Sequence, residues 1–142
     1  MIPPAHMRTV RAMGVECWQE AEAALQSVAE NREDAIRIRD IMKAYQLLSH
    51  YYERKVMAAI SALVYARSHH PLDREEAEKL ADEALQSYLE AANFMHDRLD
   101  PFYLEIAGQP LMEAGVPFSG LIEAEKKERE ELPQIFNWPE QQ

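Results

Sequence analysis

The chain has 142 residues, enough for one domain with a real core, and its 47% apolar and 28% charged content is that of a globular protein. A formal net charge of −10 has the wrong sign for a nucleic-acid binder, which needs Lys and Arg to displace phosphate counterions. A single cysteine, Cys17, excludes an internal disulfide and a Cys-based zinc site.

Only four Gly occur, and Ala, Leu, Glu and Met outnumber Val and Thr, a bias toward helix. Charge is uneven. Residues 1–30 carry −2 (two basic, four acidic), residues 31–70 carry +3 (seven basic, four acidic) and residues 71–142 carry −11 (six basic, seventeen acidic). Packing of a basic central helix against an acidic C-terminal half would suit this pattern, although solvated faces explain most of it.

The N-terminus, Met-Ile-Pro-Pro-Ala-His-Met, has no basic region ahead of an apolar core, so it is not a secretory signal. If complete, the chain is cytoplasmic; Ile-Pro-Pro after Met1 also suits a segment of a larger protein.

The first helix is predicted over 7–30. Val10, Gly14, Cys17, Ala21, Ala24 and Val28 recur at spacings of three and four, a seam of small residues facing another helix. Trp18 and Leu25 widen it. Asn31 punctuates, suited both to ending one helix and to capping the next, and the short junction folds the two helices into an antiparallel hairpin.

The second helix, 32–69, is the element around which the others are arranged. Glu33 and Asp34 fall in its first turn, where the helix dipole favours carboxylates. One seam runs through Ile38, Ile41, Tyr45, Leu48, Tyr52, Val56, Ala59, Leu63 and Ala66. A second runs through Leu47, Tyr51, Ala58, Ala62 and Tyr65. Two seams call for two partner helices. The eleven residues Val56–Ala66 are apolar on nearly every side except Ser61, which predicts burial all round. They are too few to cross a bilayer, which needs about 20.

Pro71 stops the second helix. Asp73-Arg-Glu-Glu76 has capping-box spacing, which starts the third helix at 73 and carries it to 99. Ala77, Leu80, Ala84, Tyr88, Ala91 and Met95 form its seam. Residues 100–118 are rich in Pro, Gly and large apolar groups without a period, an irregular segment pinned to the bundle. Ser119 then caps a fourth, surface helix over 119–132 with a thin apolar face. Glu123 with Lys127, and Glu125 with Arg129, support it at i,i+4, and Pro133 ends it. Residues 133–142 form an ordered tail. Ala84-Leu-Gln-Ser-Tyr88 faintly resembles a tetratricopeptide helix, but the helices are too long for that 34-residue unit. The fold expected is all-α, an up-and-down bundle of three long antiparallel helices with a short fourth helix and an irregular tail.

No catalytic or cofactor motif is present. Glu-x-x-His pairs of a di-iron site, His-Glu-x-x-His, phosphate-binding Gly patterns and Gly-x-Ser-x-Gly are all missing. His69, His70 and Asp73 have donor types suited to a metal, yet two His at a helix C-terminus are explained by the dipole alone. Ser49-His50 and Ser68-His69 point apart on one helix. Cys17 reads as a small core residue, and Tyr45, Tyr52 and Tyr88 as core aromatics. Phe102, Tyr103, Phe118 and Trp138 fall outside the regular helices and are the candidate binding residues, an apolar surface for a partner.

The runs Glu20-Ala-Glu-Ala-Ala-Leu25, Asn31-Arg-Glu-Asp-Ala-Ile-Arg-Ile-Arg39, Tyr45-Gln-Leu-Leu-Ser-His-Tyr-Tyr52 and Asp73-Arg-Glu-Glu through Gln-Ser-Tyr88 resemble a known helical domain. It is the one that follows the catalytic barrel in large bacterial glycoside-hydrolase-like proteins, some related to α-glucuronidases. The likeness covers about residues 5–99. It implies a non-catalytic accessory module whose partner is an adjacent domain or another protein, the catalytic carboxylates lying in a separate domain. The alternative expectation is a free-standing helical scaffold that self-associates as a homodimer. A small metal-dependent enzyme ranks last. Neither reading involves a cofactor, a nucleic acid or a membrane.

Overall fold

The computed structural model describes residues 4–99 and 118–135, with 118–120 and 135 as helical backbone alone. The fold is all-α: α1 (Pro4–Leu25), α2 (Arg32–Ser68), α3 (Pro71–Arg98) and α4 (Phe118–Ile135). Among the described residues no helix is long and apolar enough to cross a membrane. The expected irregular segment and tail lie outside the described residues except at their inner ends, where 118 and 133–135 are helical.

Several helix boundaries have a local cause. Pro4 opens α1, where its missing N–H costs nothing. The helix stops at Leu25, five residues short of expectation. The Ser27 hydroxyl donates to the Ala24 carbonyl (2.8 Å), and Arg32 donates to the carbonyls of Leu25 and Val28. These side chains satisfy acceptors that another helical turn would have used.

Asn31 takes the left-handed conformation (φ 52°) but makes no side-chain cap. His69 repeats that conformation (φ 52°) at the other end of α2, its N–H donating to the Tyr65 carbonyl (2.8 Å). Pro71 does not merely stop α2; it is the first residue of α3. His70 caps that helix, Nδ1 accepting from the Leu72 N–H. The expected Asp73–Glu76 capping box is therefore not used. Asp73 instead lies in the first turn and accepts from the Ser68 hydroxyl.

The core lies along α2 and α3. At one end Ala44 and Leu47 meet Ala91, Met95 and Leu99; at the other Ala62 and Tyr65 meet Ala77. Tyr51, Ala84, Tyr88 and Ala92 fill the middle. Residue numbers rise along α2 as they fall along α3, so the two run in opposite directions. The expected α3 seam is buried throughout, with Ala77 and Ala91 fully enclosed. Alanine at those positions lets the helices approach closely.

α4 packs along α3 and reaches α2 through side chains, with Ile122 against the Tyr51–Tyr88 cluster and Leu132 in the cluster of Ala62, Tyr65 and Ala77. It starts earlier than expected and continues through Pro133 to Ile135. Glu125 and Arg129 do not pair with each other. Glu125 accepts from Lys55 of α2 (2.9 Å) and Arg129 donates to Asp82 of α3 (2.6 Å), which fastens α4 across both neighbours.

α1 packs on another face of α2 with different chemistry. A Cβ on Gly14 would lie 2.6 Å from Ser49 Oγ and 3.3 Å from Gln46 Cα, so the two helices nearly touch there. Around that contact are Arg11–Glu53 (3.0 Å), Arg39–Glu22 (3.3 Å) and Lys43 over the Trp18 ring (4.1 Å). Asp40, Ser49 and Glu53 are buried on α2. The contact face of α1 runs through Met7, Gly14, Trp18 and Leu25. The expected seam is thus displaced sideways, and Cys17 and Ala24 are exposed rather than core.

The largest correction concerns α2 itself. The second seam, Leu47, Tyr51, Ala58, Ala62 and Tyr65, is buried, but the first is largely open, and Tyr45 and Tyr52 are exposed. Val56–Ala66 is covered on one side only, with Leu63 and Val64 exposed. The cause is reach. α3 and α4 cover one flank of that stretch, whereas the contacts of α1 are centred nearer the start of α2, around Gln46 and Ser49.

Candidate functional site

Ile38, Tyr45, Tyr52 and Leu63 stand at intervals of seven, seven and eleven residues, whole numbers of helical turns, and so share one face of α2. With bordering Val64 they are 43–61% exposed. The stripe is about 38 Å long at 1.5 Å per residue. Ala59 and Ala66 continue the seven-residue spacing and are exposed too, while Met42 and Val56 flank it half-buried. The Tyr52 ring rests on Tyr51 (centroids 4.8 Å), and Tyr51 in turn on Tyr88 (5.0 Å). An exposed ring is thereby held from beneath by the core. A continuous line of large apolar groups on a helix is what a partner helix docks against.

The nearest thing to a reactive cluster lies at the junction of α2, α3 and α4, in a cleft of about 180 Å³ lined by Ala58, Ala81, Ala84, Leu85 and Leu132. Lys55 Nζ donates to both oxygens of Glu125 (2.9 and 3.0 Å), to Glu128 (3.0 Å) and to the Tyr51 hydroxyl (2.8 Å). Tyr51 itself donates to Glu125 (2.7 Å). Burial pulls the Lys55 ammonium downward, but its hydrogen bonds to Tyr51, Glu125 and Glu128 outweigh that and raise it above the usual lysine range. Burial, with the Glu125 bond, likewise pushes the Tyr51 phenol up. A lysine held charged and a phenol held neutral are both unsuited to act as base or nucleophile near neutral pH. The cluster is a clamp for α4.

Tyr88 is buried as expected, and its hydroxyl has no hydrogen-bond partner among the described residues. Burial, then the neighbouring Glu125 carboxylate, raises its phenol also. His69, His70 and Asp73 are spent on the turn. His70 Nδ1 takes the Leu72 N–H, Asp73 takes Ser68, and the His69 ring lies edge-on to Tyr65. No group of three His, Cys, Asp or Glu side chains among the described residues is arranged to hold a metal ion.

Of the binding residues expected from the sequence, Phe102, Tyr103 and Trp138 lie outside the described residues. Phe118 begins α4, where the backbone alone is described. The α2 stripe was absent from that expectation because its tyrosines were assigned to the core. The two apolar seams of α2 were legible, but each carries two tyrosines, so side-chain size does not say which seam has a neighbour. No family model, no curated protein and no solved structure matches this chain.

Proposed function

We propose that the chain is a non-catalytic helical module for protein–protein contact, with α1, α2 and α3 as an up-and-down bundle and the exposed face of α2 as the contact surface. One observation carries the reading: Ile38, Tyr45, Tyr52 and Leu63 form an open apolar line on the longest helix. Tyr enrichment in such a line suits an interface, because a ring adds large contact area with few rotatable bonds. The Lys55–Tyr51–Glu125 clamp also favours a structural over a catalytic role.

Site-specific photocrosslinking in the native host tests this. A photoreactive residue at Tyr45 or Tyr52 should give discrete protein adducts, and the same residue at exposed Lys79 of α3 should give none. Equal labelling at both places, or none at the stripe, overturns the reading. The resemblance of residues 5–99 to the domain behind glycoside-hydrolase-like barrels extends the proposal to a setting beside a carbohydrate-active domain. A native reading frame that encodes no such domain would remove that extension alone.

A further inference from the structure

The α2 stripe is complementary to itself when reversed. The pairs Ile38 and Leu63, Tyr45 and Val56, and Met42 and Ala59 are each centred on the peptide bond between His50 and Tyr51. Asp34 and Arg67, at the two ends of the helix, share that centre. A second α2 laid antiparallel on the first thus sets aliphatic against aliphatic, a large ring against a smaller side chain, and an acid against a base. Ile38, Met42, Tyr45, Tyr52, Val56, Ala59, Leu63 and Ala66 fall at spacings of three, four and seven, the pattern of a two-helix seam, while Ser49 in the gap is already covered by α1 at Gly14.

We infer that the stripe is covered by a second copy of this chain, paired antiparallel through α2 about a two-fold axis at His50–Tyr51. The inference rests on the protein-contact reading above and adds the identity of the partner. Charge favours this occupant and orientation: Asp34 and Arg67 are both exposed, and reversal brings each beside the other copy's opposite charge. A parallel pair would set Asp34 against Asp34 and Arg67 against Arg67. Antiparallel pairing is also isologous, so one patch serves both copies and the assembly closes at two. A single-helix face is a narrow interface, so the association is reversible and concentration-dependent.

Sedimentation of the purified chain from about 1 µM to about 300 µM should show monomer passing into dimer. Tyr45→Glu with Tyr52→Glu should weaken the dimer at least about tenfold while the helical circular dichroism is kept, since both positions are exposed. Asp34→Arg should weaken it several-fold, and adding Arg67→Asp should restore it. With Cys17→Ser as background, a short bismaleimide should join Ile38→Cys to Leu63→Cys in a mixture and join neither variant to itself. A monomer across the whole range overturns the inference, as does self-joining of Ile38→Cys or failure of the reversed charge pair to restore association. Stripe adducts in the host alongside a strictly monomeric purified chain would sink the self-pairing and spare the contact reading; no adducts in the host would sink the contact reading.

Discussion

α2 makes two long contacts of opposite character. Toward α3 it offers Ala44, Leu47, Tyr51, Ala58, Ala62 and Tyr65, and receives Ala, Leu, Tyr and Met in return. Toward α1 it offers buried Ser49 and Glu53 together with Arg39, and receives a glycine, Arg11 and Glu22. Apolar burial is non-directional and grows with area, so the α3 contact supplies most of the stability. Ion pairs and a close backbone approach supply little net energy but tolerate only one register. One contact holds the molecule together; the other says where α1 must sit.

Substitutions separate the two contacts. Leu47→Ala, in the α3 contact, should have the largest effect, a loss of about 2–4 kcal/mol in chemical denaturation. If the loss is under about 1 kcal/mol, the apolar contact is not the main support. Gly14→Ala, in the α1 contact, should cost on the order of 1 kcal/mol net, because crowding against Ser49 and Gln46 exceeds the gain of about 1 kcal/mol in helix propensity. In a Ser49→Ala background that cost should shrink or reverse, and a cost unchanged there would mean the helices do not meet at Gly14.

Within the core, Tyr51→Phe and Tyr88→Phe should diverge. The first removes a hydroxyl bonded to Lys55 and Glu125 and should cost about 1 kcal/mol; the second removes a hydroxyl with no described partner and should be neutral or stabilising. Equal losses in thermal unfolding would contradict the assignment of the Lys55 cluster as the clamp.

The smallest effect concerns pH and belongs to the α1 side. Burial, then Arg11 and Arg54, lowers the His50 imidazole below its usual 6.5, with Glu53 and Glu90 opposing. The unfolded chain therefore binds that proton more readily than the folded one. Stability should rise with pH through the window below 6.5 and fall on acidification. His50→Gln should flatten that slope, and an unchanged slope would assign it to other groups.

How far the sequence led differs by helix. The α3 seam was legible because its apolar residues form one stripe on an otherwise charged helix, which leaves a single way to bury it. α2 was ambiguous for the opposite reason. It is apolar on two faces, and periodicity does not say which face has a neighbour. α1 was misread because hydrophobic pattern does not register an interface made of Gly14, Ser49 and Glu53. The Lys55–Glu125 link was equally hidden, since it joins residues 70 positions apart. The exposed stripe followed from the same ambiguity: its residues were found, and their surroundings were not.

The joints on either side of α2 are unequal. Two residues, His69 and His70, separate it from α3, against six, 26–31, between α1 and α2. So little slack at one end couples any turn of α3 to the last coil of α2, and the pair should move as a single lever. The longer joint should leave α1 freer to lift away as an arm, so loosening is expected to begin with that helix.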